Sequence, residues 1–309
     1  MDFFDLHCDT AYECVCNFNG RGLDHGAHHL SLNRCVSNFH KWYQVFAIFM
    51  PDELRGQAAA DHYRKIRDYL YCQERDFSDS FTICRDRESF ISAKGCGAIM
   101  AVEGGSAAAG SLDIIENIYN DGVRLMTLTW NAANEIGGGV LAGGGLTEFG
   151  RQAVTLMNKL GMVVDVSHLS DAGFYEVSEI SSAPFVASHS CSRSLCQHPR
   201  NLTDEMFGII RDRGGLVGIN FSRGFLKNNK RATSFDIIEH TEHFLSLGGD
   251  NTVCIGSDFD GTDMPDNITG IESIPFLCEL FLHHNYPEEL VRNIFFHNAE
   301  RFFQETVFV

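Results

Sequence analysis

Six side chains at the ends of apolar runs are the first candidates for chemistry in this sequence, three histidines and three carboxylates. His7 and Asp9 lie two apart in His7-Cys8-Asp9, and residues two apart on a strand share a face and can grip one cation. Taken alone, that tripeptide serves equally to cap a turn. Glu103 emerges from Ala98-Ile99-Met100-Ala101-Val102 where Gly104-Gly105 turns the chain; by itself it reads as a solvated loop glutamate. Ser167-His168 and Ser188-His189 each close a β-branched run, 21 positions apart, about the length of one strand-and-helix unit. Neighbouring parallel strands lie about 4.8 Å apart, so two imidazoles at matching depth can share a metal, whereas one such histidine is more often a core residue. Asp258 follows Val253-Cys254-Ile255-Gly256-Ser257, and a carboxylate there can trade protons with activated water and a leaving group. In Asp258-Phe259-Asp260-Gly261 it also reads as a turn former. Together the six describe a binuclear centre, with His7 and Asp9 on one ion, His168 and His189 on the other, and Glu103 between them. Nitrogen and carboxylate donors with an open position for water suit zinc.

Such residues need a scaffold that brings distant strand ends together. Eight apolar runs supply it: Phe3 to His7, Tyr43 to Met50, Gly97 to Glu103, Val123 to Trp130, Met162 to His168, Pro184 to His189, Leu216 to Phe221 and Val253 to Asp258. Amphipathic stretches lie between them, including Asp52 to Asp76, Glu148 to Leu160, Ser170 to Ile180, Thr203 to Arg213 and Ser234 to Leu247. Each starts near Ser, Thr, Asp or Glu, as helix N-termini prefer. The alternation predicts an α/β fold of the (β/α)₈ TIM-barrel type, whose active sites form at the C-terminal ends of the strands. With six prolines, no low-complexity segment and no charge block, residues 1–309 read as a single domain.

Composition narrows the function classes. The 309 residues, 44% apolar, are ample for a buried core. A net charge of −17, from 41 acidic against 24 basic residues, argues against nucleic acid or an anionic membrane as partner. The start, Met1-Asp2-Phe3-Phe4-Asp5, has no basic leader, and no run reaches the roughly 18 apolar residues of a membrane span. A soluble cytoplasmic protein is expected. The 11 cysteines are irregularly spaced without a C-x-x-C pair and read as reduced, buried apolar residues.

Longer motifs carry a resemblance over nearly the whole chain. Asp5-Leu6-His7-Cys8-Asp9-Thr10, Val102-Glu103-Gly104-Gly105, Gly122 to Thr129, Asp165-Val166-Ser167-His168, the segment from Ser188-His189-Ser190 to Pro199-Arg200-Asn201-Leu202, and Gly256 to Gly261 resemble the renal or membrane dipeptidase family, the M19 peptidases of the amidohydrolase superfamily. The resemblance implies a bacterial-type metallo-dipeptidase acting on L,L and also L,D dipeptides, with His7, Asp9, Glu103, His168 and His189 on the family's two-zinc positions. It implies a hydroxide bridging the zincs as nucleophile, Glu103 and Asp258 in catalysis, and Asp258 relaying the proton. No G-x-S-x-G elbow competes for serine catalysis. Arg200 falls on the arginine that in the family pairs with the substrate's terminal carboxylate, a task suited to a guanidinium fork; otherwise it is an ordinary surface arginine. Manganese or cobalt in place of zinc, and a homodimer, lie within what the family implies. One position departs. After Thr127-Leu128-Thr129, where renal-type members carry a histidine that contacts substrate, this chain has Trp130. Indole donates one hydrogen bond and cannot become a cation, so Trp130 is expected to shape the substrate pocket, with Asn131 and Asn134 as polar neighbours. The alternatives are another binuclear amidohydrolase acting on an amide, lactone or phosphoester, and a non-catalytic metal-binding relative.

Overall fold

β-branched and aromatic residues fill the apolar runs, and in the computed structural model these runs form parallel strands. The structure describes residues 1–35, 39–228 and 231–309. The strands are β1 (Phe3–Cys8), β2 (Trp42–Phe49), β3 (Phe81–Ile83), β4 (Cys96–Glu103), β5 (Val123–Thr127), β6 (Val163–Asp165), β7 (Val217–Ile219) and β8 (Val253–Ile255). They run in the order β6-β5-β4-β2-β1-β8-β7, with β3 on β4 beside the N-terminal half that β5 leaves free. The three-residue β3 was not expected from the sequence.

Residues 184–189 close the barrel. Val186 N–H donates to Val164 and Val166 N–H to Val186 on one side, while Ala187 N–H donates to Leu216 and Gly218 N–H to Ala187 on the other. The expected sixth strand is therefore present as a stave, but only through single bridges to Asp165 and Val217 rather than as a regular ladder. Its chemistry explains this. Pro184 has no N–H to give, and Ser188 N–H goes to the Asp165 carboxylate at 2.9 Å instead of to a carbonyl.

Side chains alternate between two cores. Phe4, Leu6, Val45, Ile99, Ala101, Leu125, Val163, Val186 and Leu216 fill the lumen, while Ala98, Met100, Val102, Met126 and Val164 pack outward against the helices. The outer helices Glu148–Leu160, Asp171–Ile180 and Asp204–Asp212 begin as expected. Thr147, Ser170 and Thr203 each accept the backbone N–H three residues on, caps contributing roughly 1 kcal/mol apiece. The long helix Gly56–Asp76 starts four residues later than Asp52, whose carboxylate accepts instead from Ala132 N–H at 3.0 Å and straps this loop to the one after β5. Among the described residues no helix is long and apolar enough to cross a membrane.

Candidate metal centre

All six candidate side chains converge at the C-terminal mouth of the barrel, each less than 9% exposed. β1 delivers His7, and a register shift between Asp5 and Cys8 lets the strand end turn so that Asp9 begins the helix Thr10–Cys16. β4 delivers Glu103, on the lumen face that Ile99 and Ala101 occupy below it. His168 and Asp258 follow β6 and β8 with positive φ of 66° and 63°, a left-handed backbone that costs a non-glycine residue about 1–3 kcal/mol. Both strand ends thereby aim a side chain at the same point.

The distances describe one cluster. His7 Nε2 lies 3.4 Å from Asp9 Oδ2, 3.5 Å from Glu103 Oε2 and 3.9 Å from Asp258 Oδ1. The other Glu103 oxygen, Oε1, lies 3.0 Å from His168 Nε2 and 3.5 Å from His189 Nε2. Glu103 thus divides its oxygens between the His7 side and the paired histidines. Two ligand sets fall within cation-binding reach, His7-Glu103-His189 and His7-Asp9-Asp258.

The residues fit a cation by three further signs. Asp9 Oδ1 is buried without a hydrogen-bond partner. The Nε2 atoms of His168 and His189 face each other at 3.0 Å. Asn131 presents its amide oxygen to His168 Nδ1 at 3.0 Å, so that nitrogen carries the proton and the Nε2 lone pair points into the cluster. Gly261 completes the enclosure, because a Cβ there would stand 2.1 Å from Asp9 Oδ2 and 2.4 Å from Asp258 Oδ1.

Charge is distributed unevenly. Burial disfavours the imidazolium of His7, but Glu103 and Asp9 outweigh it and hold its pKa well above the ordinary value. Burial, reinforced by the charge of His7, keeps His189 well below its ordinary pKa, and burial with Arg200 lowers His168 to about 4. Burial works against ionisation of Glu103 too, yet the charge of His7 wins and keeps it a carboxylate. Asp9 is raised to about 8 by burial and by Glu103. Asp258 is raised to about 6, chiefly by burial, with His7 and a 2.9 Å hydrogen bond from Asn220 opposing.

A cleft of about 270 Å³ opens over the cluster. Tyr12, Phe49 and Trp130 form an aromatic wall, with edge-on contacts at 5.0 Å between Tyr12 and Phe49 and 4.9 Å between Phe49 and Trp130. Trp130 thus lies on the wall of this cleft. Glu13, Asp258, Asp260 and Phe225 also line the cleft. Asn131 proves to be a partner of His168, and Asn134 closes a turn, accepting from Ile136 N–H and Gly137 N–H. Arg200 is not brought to the cleft. Its guanidinium packs 5.3 Å from the Phe225 ring, donates to His189 O at 3.2 Å and leaves Nε buried without a partner. Asn220, which orients Asp258, escaped the sequence reading although it directly follows β7, one residue before the end of the Leu216 to Phe221 run, where a strand-end rule not tied to the run's last residue would have found it. Tyr12, Phe49 and Phe225 carried no signal separating them from core aromatics.

The chain is similar to known proteins over its full length. The family model for membrane dipeptidases, peptidase family M19, matches residues 1–309. An uncharacterised protein of the pqqA 5' region of Klebsiella pneumoniae is 33% identical over 209 residues, 64% of this chain and 77% of that one. Human dipeptidase 3 is 30% identical over 227 residues, covering 71% of this chain and 46% of its own length, so the match spans about half of that protein. A crystal structure of a metallopeptidase from Rhodobacter sphaeroides, liganded with a phosphinate mimic of the dipeptide L-Ala-D-Ala, superposes with a TM-score of 0.93 at 28% identity, covering 99% of both chains.

Proposed function

The chain belongs to the membrane dipeptidase family, peptidase family M19, and from that premise we propose that it is a metal-dependent dipeptidase hydrolysing the amide bond of L,L and L,D dipeptides. The observation that carries the reading is Glu103, with one oxygen toward His7 and the other toward His168 and His189. His7 and Asp9 would hold one divalent ion and His168 and His189 a second, with Glu103 offering an oxygen to each side. The mixed nitrogen and carboxylate donors suit zinc, with manganese or cobalt as substitutes. Bound there, such ions supply Lewis acidity that polarises the scissile carbonyl and acidifies water.

The remaining steps fall to the chain itself. Asp258, steadied by Asn220 and facing the cleft, takes a proton from the attacking water and returns it to the leaving amine. Glu13 and Asp260 at the cleft favour the substrate's ammonium end, and the aromatic wall packs on its side chains. Arg200 meets the terminal carboxylate once Phe225 gives way. Trp130 leaves that wall apolar where renal-type members have a histidine. A single-domain enzyme in a reducing cytoplasm agrees with the absence of any disulfide among the described cysteines.

The test is amino-acid release by the zinc-loaded protein from L,L and L,D dipeptides, with parallel reactions in chelator and on C-terminal amides. Release that chelator stops and amidation suppresses is expected. One observation favours a second reading, hydrolysis of another amide by the same centre: the Arg200 guanidinium sits behind Phe225 rather than on the cleft wall. Equal rates on acid and amide would support it.

A further inference from the structure

Below the candidate ligands lies a polar layer that the reaction does not use directly. Asp165 is fully buried and accepts four hydrogen bonds. Its Oδ1 takes the backbone N–H groups of Ser167 at 3.0 Å and Ser188 at 2.9 Å. Its Oδ2 takes the hydroxyls of Thr127 and Ser188, both at 2.6 Å. Ser188 Oγ also lies 2.7 Å from His189 Nδ1. A hydroxyl has one proton to give, and a carboxylate can only accept, so the Ser188 proton goes to Asp165. Ser188 Oγ must then accept from His189. The imidazole proton is thereby fixed on Nδ1, and the Nε2 lone pair faces the cluster, 3.0 Å from His168 Nε2 and 3.5 Å from Glu103 Oε1.

We propose that Asp165, acting through Ser188, is a positioning residue that sets the tautomer of His189 and so makes it a cation ligand. Asn131 does the same for His168 from the other side. The pattern accounts for the Ser-His pair after the sixth run, because a serine directly before the histidine spans the gap to the carboxylate. It rests on the reading that the centre holds a cation, although the tautomer itself can be measured without one.

The decisive variant is Asp165→Asn, almost identical in size. The two backbone N–H groups of Ser167 and Ser188 require an oxygen opposite them, so the new amide must turn its NH₂ toward Thr127 and Ser188. Ser188 then receives a proton from below and gives its own to His189 Nδ1 at 2.7 Å, the nearer acceptor, Ser167 Oγ lying at 3.4 Å. The ring proton moves to Nε2, into the cation's place, just as an asparagine behind a catalytic histidine keeps the geometry and traps the wrong tautomer.

Imidazole ¹⁵N spectra of the cation-free protein should show His189 protonated on Nδ1 in the wild type and on Nε2 in Asp165→Asn. Zinc affinity at one of the two sites should fall by about 10- to 100-fold, as for loss of a partner behind a ligand. Ser188→Ala, which removes the hydroxyl alone, should leave a mixture of tautomers, and Ser188→Thr should restore the wild-type one. A folded Asp165→Asn with His189 still protonated on Nδ1 would overturn the proposal; if that variant does not fold, pure Nδ1–H in Ser188→Ala does so. The predicted tautomers in a protein that takes up no zinc would uphold the positioning and sink the metallo-dipeptidase reading instead.

Discussion

At the scale of single residues, Asp258 combines features that suit it to proton exchange. Its backbone is left-handed, with φ of 63°, and it lies on the cleft wall. Asn220 donates to one oxygen at 2.9 Å while the other remains 3.9 Å from His7. Burial raises its pKa to about 6, close to the pH at which proton exchange is most efficient. Asp258→Asn preserves the size and removes the exchangeable proton. We predict a loss in kcat of about 10²- to 10⁴-fold, the usual contribution of a general acid or base. Metal content per chain should stay nearly intact, because His7, Asp9, Glu103, His168 and His189 remain. Parallel kinetics and elemental analysis decide it; a variant that turns over at the wild-type rate would remove Asp258 from the mechanism.

Among the elements, the two ends of the barrel divide the work. The C-terminal mouth carries the strained and charged residues, whereas the opposite end is plugged by rings. Phe303 stacks on Phe4 at 5.1 Å, Phe308 on Phe90 at 4.8 Å, and Phe90 on Tyr43 at 4.3 Å. Phe303→Ala should therefore cost about 3–5 kcal/mol in stability, as buried Phe-to-Ala changes do. Denaturant unfolding of the variant measures that cost, while kcat of the folded protein should be unchanged; a matching fall in kcat would mean that the two ends are coupled. This division also explains what the sequence made legible. Helix Glu148–Leu160 was readable to the residue because its signals are local, the Thr147 cap and the left-handed Gly161 at its end. The six strand-end side chains were readable because each run stops at a polar residue. The bracing beneath them was not, since Asp5 holds Ser257 N–H at 2.8 Å across 252 positions and Asp165 holds Ser188 across 23, and no local pattern announces such pairs. The retreat of Arg200 behind Phe225 was hidden for the same reason, being a matter of tertiary packing.

For the whole molecule, the question is what governs stability when no cation is bound. The chain has 41 acidic and 24 basic residues, but outside the cluster its described ion pairs keep at least one partner partly open to solvent, and solvent-screened pairs such as Arg64–Asp61 and Arg292–Glu288 contribute about 0–1 kcal/mol each. The buried cluster should therefore dominate the response to pH. Burial and Glu103 raise Asp9 from 3.8 to about 8, and the carboxylates raise His7 well above 6.5, so between about pH 7 and 8 the folded state holds protons that the unfolded chain has released. His168 and His189, held low, are neutral in the fold and already mostly neutral in the unfolded chain there, so their opposing slope is the smaller one and fades toward pH 8. Stability rises with pH only where the unfolded state binds more protons; here the folded state binds more, so stability must fall as pH rises through this window. A bound cation reverses the balance, because it takes the place of those protons and its affinity grows as the ligands deprotonate. Thermal unfolding in chelator should thus give a Tm that declines from pH 7 to 8, while the zinc-saturated protein holds or gains. If Tm in chelator climbs instead, Asp9 is ionised in the cation-free fold, and the protons assigned to the cluster are not there for a metal to displace.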